Sequence, residues 1–325
     1  FTTATDTFNT AVGHAAGLNV STGVQNTLIG GLAGDALTDA DYNVAIGKEA
    51  LTRDTLGSRS VAIGTFTLNQ QNFTTATNTY NTAVGYNAGG ANTTGETNTF
   101  LGATAGAANT SGNNNSAMGY AALFTNVLSD RNVAVGNNTL YSHNQATSVD
   151  SYNVAVGYDA GSAVTTGVQN TLIGGLAGDA LTDADHNVVV GYAALSSDTL
   201  GSKSIAIGHA ALQVQNFVTA TDAYNVAVGY NAGQQITTGA GNTLIGGLAG
   251  DALTVGNSNV AAGVHALGAD TKGDRNVAIG NSALAAQNFT TSTDSYNVAL
   301  GYAAGGAVTS GINNTLIGGL AGDAL

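Results

Sequence analysis

The chain has 325 residues, only 8% of them charged, with 7 Lys+Arg against 20 Asp+Glu for a formal net charge of −13. That balance leaves no cationic stripe for nucleic acid or for an anionic membrane surface. No apolar run reaches the roughly 18 residues of a membrane span, and the absence of cysteine excludes disulfides, thiolate metal sites and cysteine nucleophiles.

Phe1 falls inside a repeating unit, at the place that Phe73, Phe217 and Phe289 hold later. Leu325 stops mid-unit, at the place of Leu37 and Leu181. Neither end has the atypical composition of a capping repeat, so residues 1–325 read as one continuous array cut from a longer fibre. From Asn9 onward a five-residue phrase, Asn-x-small-aliphatic-Gly, recurs, with Asn43-Val44-Ala45-Ile46-Gly47 as a representative copy. Its closing glycines run Gly13, Gly30, Gly47, Gly64, Gly85 and so on to Gly318, with gaps of 17, 17, 17 and 21 residues repeated as a 72-residue super-repeat. A fixed period of this length marks a repeat architecture.

Within one unit, two short extended runs are separated by polar, Gly-rich corners. Gly or Asn every few residues excludes helix, since each interior Gly costs about 1 kcal/mol. The runs favour Val, Ile, Thr and Tyr, which suit a pleated surface. Proline is absent, as a chain whose N–H groups enter a ladder requires. The predicted fold is all-β: a parallel β-solenoid (β-roll or β-helix) of about 18 coils. The Asn of each phrase, exemplified by Asn26, Asn43, Asn81, Asn98, Asn132, Asn153, Asn170 and Asn187, is expected at a left-handed corner and in an amide ladder. Gly30, Gly47, Gly85, Gly102, Gly136 and Gly157 belong to the same structural corner.

In the strand, Val44 and Ile46 point to one face and Ala45 to the other, and both faces are apolar. A thin coil can use only one face for its interior, so the other is expected to meet another copy of the chain. The expectation is an oligomer, specifically a homotrimer, with end-to-end filament assembly as a further form. Three residues after the glycine comes a small residue, mostly Ala, and the next position runs Gly17, Gly34, Leu51, Leu68, then repeats. Every fourth coil carries four extra residues, around Leu68–Phe73 and its counterparts, and these segments are expected to bulge outward. Phe73, Phe217 and Phe289 then become possible surface contacts for a partner or sugar, although tucking back onto the coil is the simpler reading of an apolar ring there.

Of five histidines, His14, His186 and His209 take places that Tyr holds elsewhere. No catalytic triad or ligand spacing surrounds any of them, and the expectation is a protein without enzymatic activity or cofactor. The clusters Asp35, Asp39, Asp41 and Asp179, Asp183, Asp185 offer oxygen ligands of the kind calcium takes. The phrase Gly30-Gly31-Leu32-Ala33-Gly34-Asp35 departs from the calcium-binding nonapeptide at Ala33 and Asp35, and a solvated acidic turn is the simpler reading.

Asn43-Val44-Ala45-Ile46-Gly47 and Asn276-Val277-Ala278-Ile279-Gly280 resemble the head repeats of trimeric autotransporter adhesins. That resemblance implies a left-handed parallel β-roll with three chains about one axis. Tyr224-Asn225-Val226-Ala227-Val228-Gly229-Tyr230-Asn231-Ala232-Gly233, with Thr237-Thr238-Gly239 after it, is similar to the shaft repeats of phage tail fibres. The coil length differs from that of the adhesin heads. Both resemblances imply scaffold: the shaft of an extracellular, cell-surface or virion-tail fibre, with a host glycan or protein receptor as partner and no nucleic acid or membrane insertion. The rival reading is a single-chain module for ice or polysaccharide. Thr-x-Thr occurs mainly in the long coils (Thr75 and Thr77, Thr219 and Thr221), which ranks it second.

Overall fold

The computed structural model describes residues 6–325. Among them there is no helix, and none long and apolar enough to cross a membrane. The fold is a parallel β-solenoid, in which each phrase forms a three-residue strand. The chain divides into two compact units, one ending at Asp159 and the other spanning Ala160–Leu325.

The first unit holds nine such strands, from Thr10–Val12 to Val154–Val156. Each pairs in parallel with the next at the same phrase position, so Ala11 sits against Leu28, Leu28 against Ala45 and Ala45 against Ala62. The second unit holds nine more, from Thr171–Ile173 to Thr315–Ile317, in the same register. Most partners are 17 residues apart; Val61 and Thr82, and Ile205 and Val226, are 21 apart.

The middle residue of the strand faces the interior. Ala45, Ala62, Phe100, Leu172 and Val189 are all buried. The flanking residues face outward, with Ile173 39% and Ile245 46% exposed. The ambiguity of a strand apolar on both faces is thereby resolved: the small middle position is the core, and the Val/Ile pair is outside.

The interior is filled by exchange of volume between two positions. Four residues after each phrase glycine the backbone is left-handed, whether the residue is Gly34 (φ 56°) or Leu51 (φ 54°). Glycine appears where a large strand residue needs the space. A Cβ on Gly17 or on Gly34 would lie 2.7 Å from the Leu28 side chain, and one on Gly106 would lie 2.3 Å from the Phe100 ring. Leu28 therefore fills space belonging to two turns, its own and the one before it. Where the strand residue is Ala45 or Ala62, Leu51 and Leu68 reach in and are fully buried. This reciprocity is the close packing expected of protein interiors, and it accounts for the Gly-Gly-Leu-Leu order read in the sequence.

The amide ladder forms, with one correction. Asn43 is buried, accepts through Oδ1 from the N–H of Ser60 at 2.8 Å, and donates through Nδ2 to the Gly57 carbonyl at 2.9 Å. Asn26 and Asn98 bridge to their following turns in the same way. The left-handed residue is not the Asn but the one before it, such as Tyr42 (φ 61°). An Asn that bridges two turns from inside must aim its amide inward, so the reversal of chain direction falls one residue earlier. The phrase glycine is also required sterically, since a Cβ on Gly47 would sit 2.4 Å from the Gly64 carbonyl oxygen.

Candidate interaction surfaces and buried polar groups

The long turns correct a second expectation. Phe73, Phe217 and Phe289 are only 6–7% exposed, so these rings are core and not surface contacts. Phe73 occupies the place of Leu56 in the preceding turn, and its carbonyl accepts from the Leu56 N–H. The pair Gly57–Ser58 then aligns with Thr77–Asn78. The added residues are therefore Thr74-Thr75-Ala76, which are exposed, and Thr79, which is buried. Phe1, the counterpart of Phe73 in the sequence, lies outside the described residues.

Inside each such place sits a polar clamp that the sequence reading missed. Asp54 is buried, accepting through Oδ1 from the N–H groups of Gly57 and Phe73 at 3.0 Å and through Oδ2 from Gln71 Nε2 at 2.5 Å. Gln71 also donates to Ser60 Oγ and accepts from Asn81 Nδ2. Asp198 with Gln215, and Asp270 with Gln287, repeat the arrangement. In the one variant copy, Asn126 and His143 stand at these places, both buried. There Asn126 donates to Asn109 and Asn109 to Asn92, forming a second interior amide file where other copies carry Val20 and Leu37. The signal available in the sequence was the recurrence of Asp and Gln at 54/71, 198/215 and 270/287.

Burial raises the Asp54 carboxyl above its ordinary value, against the opposing hydrogen bonds from Gln71, Phe73 and Gly57. For an acid whose folded value is raised, the folded state holds the proton longer than the unfolded one. Stability is then greatest below the unfolded value near 3.8 and falls as pH rises through the folded value, staying level above it. Denaturant midpoints of wild type minus Asp54→Asn should therefore decline with pH across that window only. A difference flat in pH would show that Asp54 ionises in the fold as freely as in the unfolded chain.

The acidic clusters are spread along the ladder. Asp35 accepts from the Thr52 hydroxyl, Asp39 from Thr22 and Asp41 from the Val24 N–H. Asp183 and Asp185 repeat the last two with Thr166 and Val168, and Asp179 holds the Asp35 place. Each of these five bonds joins one turn to a neighbour, and among the described residues no three acidic, His or Cys side chains group as a metal site. Asp251 lacks its counterpart of Thr52, because Gly268 stands there. Its Oδ1 is buried without a partner, and burial raises its carboxyl as well.

Two features face solvent. The first is the outward strand face. In the second unit, the residue before each phrase glycine is Ile173, Val190, Ile207, Val228, Ile245, Ala262, Ile279, Leu300 and Ile317, all apolar. At one strand spacing of about 4.8 Å, nine strands make an apolar strip about 40 Å long.

The second is the corner column of left-handed residues just before the ladder. Arg59, Arg131, Lys203 and Arg275 stand in it at 72-residue intervals, using four of the seven cationic residues. Tyr80, Tyr152, Tyr224 and Tyr296 occupy the next turn in the same column. Arg131 pairs with Asp150, Lys203 with Asp222 and Arg275 with Asp294. The cations lie 5.6, 5.3 and 5.7 Å from the Tyr152, Tyr224 and Tyr296 ring centroids. Arg59 instead donates to Asn78 at 2.9 Å and lies 4.7 Å from the Tyr42 ring. The hydrogen bond from Lys203 holds the Asp222 carboxyl below its ordinary value, and the same bond raises Lys203. His209 behaves as the aromatic substitute expected, stacked between Tyr192 and Tyr230 at 5.6 and 5.3 Å.

No family model matches this chain, and no curated protein matches it. The functional reading therefore rests on these two surfaces and on the repeat itself.

Proposed function

We propose that this chain is the shaft of an extracellular or virion fibre, assembled as a parallel homotrimer whose outward strand faces form the common seam. The 72-residue super-repeat is the building unit, and its role is mechanical and non-catalytic: it holds a receptor-binding tip away from a base. The observation that carries this reading is the apolar outer strip. Parallel sheets occur almost only with both faces covered, and exposed apolar patches beyond a few hundred Å² mark interaction sites. Here one face packs the interior, and the other is left with Ile245 46% and Leu300 43% exposed in the single chain.

The ladder suits this role. Within each unit the turns are tied to one another by the strand bonds and, at turns such as those of Asn26, Asn43 and Asn98, by two bonds from the buried Asn, so tension is shared among turns. A single-chain module for ice would want Thr on the outer face of every turn. At the first residue of the strand Thr stands in seven of the eighteen described turns (Thr10, Thr27, Thr82, Thr99, Thr171, Thr243 and Thr315), and Val or Ile in ten. Light scattering after size exclusion tests the assembly. Three times the 32.0 kDa chain mass supports the shaft, and a stable single chain overturns it.

A further inference from the structure

We propose that the corner clusters Arg131–Asp150–Tyr152, Lys203–Asp222–Tyr224 and Arg275–Asp294–Tyr296 are repeated binding sites for an uncharged glycan, each taking a pyranose ring on the tyrosine and its hydroxyls on the acid–cation pair. This holds whatever the number of chains in the assembly.

Three observations carry it. All 12 tyrosines of the chain are exposed. Tyrosine has a large apolar body that normally finds cover, so none of these rings serves the core. Five of them stand in the corner column, Tyr42 and the four that recur at 72-residue intervals from Tyr80, and Tyr152, Tyr224 and Tyr296 keep 50%, 57% and 49% of their surface.

The second observation is backbone conformation. Arg131, Lys203 and Arg275 have φ of 60–62°, and Tyr152, Tyr224 and Tyr296 have φ of 49–50°. That region favours Gly and Asn and is unusual for bulky residues. Elsewhere in the same column the chain uses Gln25, Tyr42, Thr97, His186 and Ser258 as well as Asn114, Gly241 and Asn313. The column drifts freely at other turns, yet at these turns it keeps a cation and then a tyrosine against the local preference. Left-handed φ is shared by every described residue of this column, so the retained pair of residue types is the pointer to function. Stability does not account for it, because exposed ion pairs contribute little, and these side chains are 38–49% exposed.

The third observation is chemistry. Asp222 accepts from both Lys203 and the Tyr224 hydroxyl, at 2.5 and 3.2 Å. The three groups thus form one preset patch with an apolar ring, an anionic acceptor and a cationic donor side by side. A polyol with an apolar C–H face and flanking hydroxyls matches all three at once. The pair is neutral as a whole, and the net charge of −13 repels polyanions, which selects an uncharged glycan. Within the second unit the two copies are four turns apart, or about 19 Å at one strand spacing per turn, so one polymer chain can engage both.

The test is native electrophoresis of the full chain through gels cast with galactomannan, a mixed-linkage β-glucan, chondroitin sulfate or gelatin. Retardation by at least one of the two uncharged polymers and not by chondroitin sulfate is expected. The triple variant Tyr152→Ala, Tyr224→Ala, Tyr296→Ala should run as in an empty gel, and Ala is already accepted at such φ values, as at Ala121 (φ 52°). The triple variant Asp150→Asn, Asp222→Asn, Asp294→Asn, which keeps the rings, should lose most of the retardation, while Tyr141→Ala, outside the clusters, should keep it. Light scattering separates this proposal from the shaft reading, because both triple variants should keep the wild-type mass. No retardation by either uncharged polymer, or retardation unchanged in the tyrosine triple variant, overturns the proposal. Retardation by gelatin alone assigns the surface to a protein partner and overturns it too.

Discussion

Replacing Gly106 with alanine should destabilise the first unit by about 2–5 kcal/mol, combining overpacking of about 1–3 with a left-handed residue at about 1–2. The steric part decides the outcome. Leu51 and Leu68 occupy the same backbone conformation as Gly106, at φ 54° and 48°, and are fully buried. They face Ala strand residues, whereas Gly106 faces Phe100, whose ring would lie 2.3 Å from the new Cβ. Phe100→Ala alone should cost about 3–5 kcal/mol through the cavity it leaves. Combining Phe100→Ala with Gly106→Leu recreates the pairing of Ala45 with Leu51 and should recover much of both losses. Stability falls off locally in repeat arrays, so amide hydrogen exchange in the adjoining turns is the suitable measurement alongside denaturant midpoints. Strictly additive losses would contradict the volume exchange.

The second large effect is expected at the ladder. Asn98 donates to the Gly112 carbonyl at 2.8 Å and accepts from the Asn115 N–H at 2.9 Å, all inside the fold. Asn98→Ala strands the Asn115 N–H without water, at about 1–3 kcal/mol, while the Gly112 carbonyl keeps a bond from Asn109 Nδ2 at 3.0 Å. Serine should not rescue it. Ser60, which stands naturally in the ladder, works because Gln71 Nε2 and the Thr79 hydroxyl reach its Oγ at 2.9 and 2.6 Å. The neighbour of Asn98 is instead Asn109, whose Nδ2 is already given to the Gly112 carbonyl and to Asn92 Oδ1, because the Gln clamp belongs to the long turns. Thr97→Ala, on the adjacent corner residue, should change little. A loss under about 0.5 kcal/mol for Asn98→Ala, the range of an ordinary surface substitution, would show that the amide does not bridge the turns.

The turn itself was legible in the sequence because a solenoid writes its period directly: the phrase Asn-x-small-aliphatic-Gly places one strand, one interior amide and one close approach per turn. Which strand face was interior was not legible, because Ala45 and its flanking Val44 and Ile46 are all apolar. Volume decided it, since a thin turn has room for Ala or a single Leu28 shared between neighbours. Phe73 was placed within the protruding segment for a related reason. Counting extra residues shows where a unit is longer, but not which residues are the added ones. The register of Gly57–Ser58 with Thr77–Asn78 puts Phe73 on the regular path and Thr74-Thr75-Ala76 off it. The Asp54–Gln71 clamp was hidden because its members are 17 residues apart and meet only through stacking. The corner cations were in plain sight as four basic residues at 72-residue intervals, but their pairing with tyrosine and Asp depends on the left-handed column, which composition does not reveal.

The central claim is that the outer Val/Ile strip is a seam between copies of this chain. The most direct test compares light-scattering masses of the wild type and of Ile173→Asp with Ile245→Asp, two outward residues that are 39% and 46% exposed in the single chain. The account predicts three times 32.0 kDa for the wild type. It predicts a single-chain mass with the β-sheet circular dichroism retained for the variant, since a charge buried in an apolar seam is costly while the interior is untouched. A wild type that is monomeric, or a variant that keeps the trimer mass, would contradict it.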